Sequence, residues 1–200
     1  MALKLSFDLM DLLNSTESAE ASKRLAPFVK RDAIKREFGN RVIDEIKDRT
    51  LGGKDKNDNG FTPYSKAYKQ SLEFKVFGKG SKPNLKLTGQ MQASINVVGT
   101  TSTTVSIGFI SKEQEDKATG HINGSGPLPV RDFWGIKKED QVKILKSVIK
   151  DFNAREETAE LFSAVSALVG GAELAVETSS TTRGASTLAA TLDLLDGDDG

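Results

Sequence analysis

The segment Pro127-Leu128-Pro129-Val130-Arg131-Asp132-Phe133-Trp134-Gly135-Ile136 limits what this chain can fold into more than any other stretch. Each proline holds φ near about −65° and removes a backbone donor, so Pro127 to Val130 reads as extended rather than helical. Phe133, the sole tryptophan Trp134 and Ile136 then arrive as a compact apolar anchor, with the fixed-charge fork of Arg131 just upstream. An arginine beside two aromatic rings pairs with a carboxylate or stacks on a ring. Pro127, Pro129, Arg131, Phe133, Trp134 and Gly135 are therefore expected to form a structural corner that pins the next helix onto a sheet. An active site here would need a base or nucleophile, and the only candidate nearby is His121, the single histidine.

The elements around this corner follow from periodicity. Leu3, Leu5, Phe7 and Leu9 alternate with polar or small residues, a short strand pattern that passes into Leu12-Leu13 and a polar joint, Asn14–Ser18. Ser18 or Ser22 can cap a helix from Ala19 to about Thr50, with Leu25, Phe28 and Val29 on one face. Ile34, Phe38, Val42 and Ile46 continue by steps of four. Pro27 predicts a start or kink, and Gly39 weakens the helix middle by about 1 kcal/mol relative to alanine. Residues 54–86 are the least regular stretch, a Lys-rich loop expected to be mobile, with a short helix near Ser65–Leu72. Ile95–Val98 and Val105–Phe109 read as a hairpin about Gly99–Ser102, and Lys112–Thr119 as a polar bridge with at most one helical turn. Lys138 to Phe152 is amphipathic, with Val142, Leu145, Val148, Ile149 and Phe152 inward. Glu156–Val169 is a further helix candidate.

The expected class is α+β. A small antiparallel sheet packs against a long N-terminal helix and a second helix, and a long C-terminal extension follows. Two hundred residues suit one domain with an appendage, here 1–152 and an acidic extension, 153–200. Residues 1–150 hold 26 Lys and Arg against 18 Asp and Glu, a net of +8, and residues 151–200 hold 2 against 10, a net of −8. A basic body with an acidic tail suits charge-steered assembly or a tail that covers a basic face, and equally a tail that is acidic for solubility. The absence of cysteine removes disulfides and thiolate metal sites. No apolar run reaches a membrane span, so no membrane partner is expected, and Met1–Asn14 lacks a signal-peptide pattern, which suggests synthesis in the cytoplasm.

Candidate chemistry is sparse. Asp55-Lys56-Asn57-Asp58-Asn59-Gly60 matches the first half of a calcium loop, but the twelfth position, which needs a bidentate glutamate, is Lys66. His121 with Glu113, Glu115 and Asp116 fits no metal-ligand spacing, and a satisfied structural histidine is expected. No nucleophile–base signature or phosphate loop is present, so neither catalysis nor a cofactor is expected. Lys75, Lys79, Lys82 and Lys86, interleaved with Phe and Tyr, can contact a phosphate backbone or form a solvated loop.

Three blocks occur in fixed order. Asp58-Asn59-Gly60-Phe61-Thr62-Pro63-Tyr64-Ser65, followed by Tyr68, is the first, and Leu87-Thr88-Gly89-Gln90-Met91-Gln92-Ala93-Ser94-Ile95 is the second. The third is His121-Ile122-Asn123-Gly124 followed by Pro127 to Ile136 and Lys138-Glu139-Asp140. Together they resemble the virion morphogenesis or tail completion family of Mu-like and P2-like tailed bacteriophages, over about residues 1–150. That family shows D-x-G-x-W-x-P-L-S, then L-x-x-T-G-x-L-x-x-S-I, then H-x-x-G and P-x-R-x-F-L-G. The matching positions here are Gly60, Phe61, Pro63, Ser65, Leu87, Thr88, Gly89, Ser94, His121 and Gly124, with Phe61 in place of Trp, Met91 in place of Leu and Trp134 in place of Leu. The resemblance implies a non-catalytic virion protein, made in the host cytoplasm, that forms a homo-oligomeric ring at the neck or head–tail junction. As tail completion protein, terminator or connector it would contact other connector and tail-tube proteins, with the Lys-rich loop facing DNA in the channel. The alternative is a nucleic-acid-binding protein whose basic body is regulated by its acidic tail.

Overall fold

A computed structural model describes residues 2–86, 88–126 and 128–156. The expected helix Glu156–Val169, most of the acidic extension, Leu87 and Pro127 lie outside the described residues. The chain is α+β, built on a three-stranded antiparallel sheet of β1 (Lys4–Asp8), β2 (Ile95–Thr100) and β3 (Thr104–Phe109). The order is β1-β3-β2, so the hairpin partner β3 lies in the middle and the N-terminal strand pairs with it across about a hundred residues of chain. Alternation puts Phe7, Ile95, Val105 and Ile107 on the buried face and Lys4, Ser6 and Asn96 on the exposed one. The expected strand stops at Asp8, because the Asp8 carboxylate accepts from the N–H groups of Met10 (2.9 Å) and Asp11 (3.2 Å) and so caps α1 (Leu9–Asn14). Leu12 and Leu13 are thus helical core residues rather than the tail of a strand.

The single N-terminal helix expected from Ala19 is two helices, α2 (Ala19–Val29) and α3 (Asp32–Leu51). Ser18 caps α2, its hydroxyl accepting from Ala21 N–H at 3.2 Å. The break falls at Lys30–Arg31, not at Pro27, which α2 holds in its last turn. Arg31 leaves helical geometry there, and its guanidinium sits 4.7 Å from the Phe28 ring centroid.

Ile34, Phe38, Val42 and Ile46 of α3 are fully buried against the sheet, and Phe38 meets Phe7 edge-on with ring centroids 5.7 Å apart. The steps of four are the helix face itself. Gly39 lies on that face. A Cβ there would stand 2.6 Å from Val97 Cγ2 and 3.1 Å from Val105 Cγ2, so its absence lets the helix approach the strands. Lys35, only 3 % exposed, crosses to the hairpin turn, where its ammonium donates to the carbonyls of Thr101 and Ser102 and pairs with Asp32 at 2.8 Å. A long side chain with an apolar stem and a satisfied tip is the form in which lysine can be buried.

Residues 54–86 hold two short helices, α4 (Lys66–Gln70) and α5 (Leu72–Val76), of which the sequence announced one. Ser65 and Ser71 cap them, and Pro83 is buried against Gly53, which anchors the far end of the segment beneath α3. After α6 (Gln90–Ala93) and the hairpin comes α7 (Lys112–Asn123), twelve residues where one turn was expected. Apolar periodicity is weak in α7, and its support comes from elsewhere. Lys112–Asp116 (2.7 Å) and Glu113–Lys117 (2.6 Å) pair one turn apart, and Ala118 is fully buried. The last helix among the described residues, α8, begins at 138 and continues to 156, where the described residues end. Leu145, Val148 and Ile149 fill the core, and Arg41 straps α8 to α3 through Ser147 (2.8 Å) and Asp151 (2.7 Å). The compact unit so formed spans Met1–Asn153. No helix among the described residues is long and apolar enough to cross a membrane.

Candidate functional site

The first and third sequence blocks meet at one corner beneath the C-terminal end of α3. Two arginines organise it. Arg49, in the last turn of α3 and 7 % exposed, donates through Nη2 to the carbonyls of Phe133 (3.0 Å) and Gly135 (2.5 Å). Arg131, 5 % exposed, donates through Nε (3.3 Å) and Nη2 (3.0 Å) to the Thr62 carbonyl and lies 5.4 Å from the Tyr64 ring centroid. Arg131 therefore takes a ring and a carbonyl as partners, and the neighbouring carboxylate, Asp132, pairs instead with Lys56 at 2.7 Å. Burial lowers the pKa of both arginines, Arg131 being partly compensated by Tyr64 and Tyr68. Both remain cations, because guanidinium does not deprotonate in proteins.

The backbone continues the same pattern. Arg131 N–H donates to the His121 carbonyl at 2.7 Å, tying the corner to the end of α7, and Lys56 N–H donates to the Asp132 carbonyl at 2.9 Å. Lys137 pairs with Asp58. Gly124 ends α7 at φ +71°, and a Cβ there would meet Val130 Cγ2 at 2.8 Å, so a glycine is required where the chain turns back. Phe133 is fully buried and Trp134 nearly so, the latter against Phe109 with centroids 5.0 Å apart.

His121 differs from expectation. It is held below the ordinary imidazole range by burial and then by the Arg131 charge, and Nδ1 is buried without a hydrogen-bond partner among the described residues. It is a neutral, half-buried and incompletely satisfied residue rather than a satisfied one. The calcium-like loop is filled by the protein's own donors. Asp55 Oδ1 accepts from the N–H groups of Asn57 (2.8 Å) and Asn59 (2.9 Å), and Asp55 Oδ2 from Asn59 Nδ2 (3.3 Å). No group of three or more His, Asp or Glu side chains among the described residues could hold a metal ion.

Phe61 of the first block is buried in the core, Pro63 is exposed and Ser65 caps α4. Thr88, Gly89 and Ser94 belong to a separate local structure. Gly89 precedes α6 at φ +86°, and Ser94 donates to the Met91 carbonyl at 2.8 Å. The second block thus shapes the entry to β2 and does not join the arginine corner.

Of the four lysines proposed for a channel, Lys75, Lys82 and Lys86 are exposed, whereas Lys79 is half-buried, reaches Asn84 Oδ1 at 3.4 Å and has its pKa lowered by burial and then by Lys86. Tyr64, Tyr68 and Phe74 form a ring cluster in the same segment, with centroids 5.2 to 5.6 Å apart. Burial raises the Tyr68 pKa.

Sequence reasoning missed Arg49 and Lys35. Both look like solvated helix lysine or arginine positions, and the only available signal was their place on the apolar stripe, one and three residues from core positions. Comparison with family models, with curated proteins and with solved structures returned no match.

Proposed function

We propose that this protein is a structural component of a tailed-phage virion, acting as a repeated subunit in a ring at the neck or head–tail junction. One observation carries the reading: the two buried arginines of the corner are spent on holding backbone carbonyls. Arg49, Arg131 and Lys56 satisfy carbonyls and a carboxylate of the same chain, and the arrangement specifies a contour instead of presenting reactive groups. The order of the three blocks supports the same class. A sheet with two edge strands also suits a subunit whose remaining surface is completed by neighbours.

The test is electron microscopy of the purified chain and mass spectrometry of the purified particles of its phage. Closed rings and a stoichiometric place in the virion are expected. A monomer at all concentrations that is absent from particles overturns the proposal.

A second reading, nucleic-acid binding, is favoured by the exposed Lys75, Lys82 and Lys86 beside exposed Phe77. Duplex DNA affinity measured across salt separates the two. A nucleic-acid binder loses affinity steeply with salt as released counterions are counted, whereas a ring subunit that only borders DNA does not.

A further inference from the structure

Strand β1 is an edge, and its phase is known. Leu9 N–H donates to the Thr103 carbonyl at 3.0 Å, which continues the β1–β3 register by one pair. Antiparallel pairing alternates, so Leu5 and Phe7 exchange bonds with β3, while the N–H and C=O groups of Lys4 and Ser6 aim at the open side. No strand among the described residues lies there. The register of β1 is unbroken over all five residues, whereas β2, the other edge, is interrupted by a bulge between Val97 and Gly99. A bulge blunts an edge, and a regular edge of this kind is a template for another strand.

A cleft of about 580 Å³ lies in front of this edge. Leu12, Trp134 and Ile136 give it an apolar wall, and Lys56, Lys137 and Lys138 line its rim, the first two already paired with Asp132 and Asp58. Asp8 and Asp11 also line it, but the Asp8 carboxylate is occupied by the first turn of α1 and by Thr103. Lys138 is exposed and has no ion-pair partner among the described residues.

We infer that this edge takes an added strand, Glu173-Leu174-Ala175-Val176-Glu177, from a second copy of the chain. Residues 157–200 carry eight acidic side chains against one basic one, Arg183. Within them this stretch alternates with period two, Leu174 and Val176 on one side and Glu173, Ala175 and Glu177 on the other, between Gly170-Gly171 and Thr178-Ser179. The other acidic stretch, Leu192-Asp193-Leu194-Leu195-Asp196, loses alternation at Leu195. Five residues match the five of β1, a span of about 17 Å. The added strand turns Leu174 and Val176 to the apolar wall and Glu173 and Glu177 to the face that carries the exposed Lys4 and Ser6. Main-chain bonds supply affinity and the alternating side chains supply register. The choice of a second copy rests on the ring reading above, in which each subunit offers one edge and one tail.

The chain has no cysteine, so disulfide trapping in the full-length protein is clean. Ser6→Cys protein is mixed with each of five partners carrying Cys in place of Glu173, Leu174, Ala175, Val176 or Glu177, and oxidised mildly. Lys4→Cys serves as a second anchor should Ser6→Cys not fold. The expected result is a band at twice the 21.6 kDa monomer mass for cysteines on the Glu173, Ala175 and Glu177 side, and its loss for those at 174 and 176. No cross-link at any position overturns the proposal, and so does a Ser6→Cys/Ala175→Cys double variant that closes only within one monomer. Rings seen by microscopy without cross-links leave the ring reading standing and this one refuted; cross-linked dimers without rings do the reverse.

Discussion

Gly39→Ala sets two effects of opposite sign against each other. Alanine is a better helix former than glycine by about 1 kcal/mol, so local propensity alone makes the variant more stable. The tertiary contact opposes this. The new Cβ would lie 2.6 Å from Val97 Cγ2 and 3.1 Å from Val105 Cγ2. Valine is stiff at χ1, so its methyl groups cannot simply swing aside, and α3 must lift from the sheet or the strands must shift. Overpacking a well-filled interior costs about 1–3 kcal/mol, which outweighs the propensity gain. The variant is therefore expected to be less stable by up to about 2 kcal/mol net, a fall in melting temperature of up to roughly 8 °C for a chain of this size. Urea denaturation followed by far-ultraviolet circular dichroism measures it. A double-mutant cycle with Val97→Ala isolates the contact, because removing the closer methyl should shrink the cost of Gly39→Ala to about zero or reverse it. A Gly39→Ala protein more stable than wild type, or one whose loss is unchanged in the Val97→Ala background, refutes the close approach of α3 to the sheet.

Arg49→Met leaves the Phe133 and Gly135 carbonyls without their donor in a buried corner, and should cost about 1–3 kcal/mol in the same denaturation assay; a neutral result removes Arg49 from the scaffold. His121 is pushed below its ordinary pKa by burial and by Arg131, so the native state binds fewer protons than the unfolded one. Its contribution is therefore intact above about pH 6.5 and declines as pH falls below that value. Because His121 is the only histidine, the fall in urea midpoint between about pH 7.5 and about pH 5.5 should be smaller in His121→Asn than in wild type, and equal falls exclude this origin. Millimolar calcium should leave the melting temperature unchanged, since the Asp55 carboxylate is already saturated by Asn57 and Asn59. A rise that EDTA reverses would show that the loop opens for the ion.

Local periodicity was legible in the sequence alone. The step of four from Ile34 to Ile46, the alternation in Ile95–Val98 and Val105–Phe109, and the amphipathic stretch from Lys138 each name an element, because one face must leave water whatever covers it. The proline-flanked aromatic segment likewise announced a buried anchor, and Phe133 and Trp134 are buried. What the sequence could not state is which partner each element meets. The α7 helix rests on paired charges and a buried alanine instead of an apolar stripe. Lys35 and Arg49 are charged residues whose burial depends on carbonyls roughly 66 and 85 positions away. Gly39 reads as a flaw in a helix until the strands packed against it are known. The pairing of β1 with β3, and with it the open edge and the cleft before it, exists only after the two ends of the domain meet. Hydrophobic period is a property of neighbours along the chain, but hydrogen-bond satisfaction and close packing are properties of neighbours in space, and only the fold supplies those.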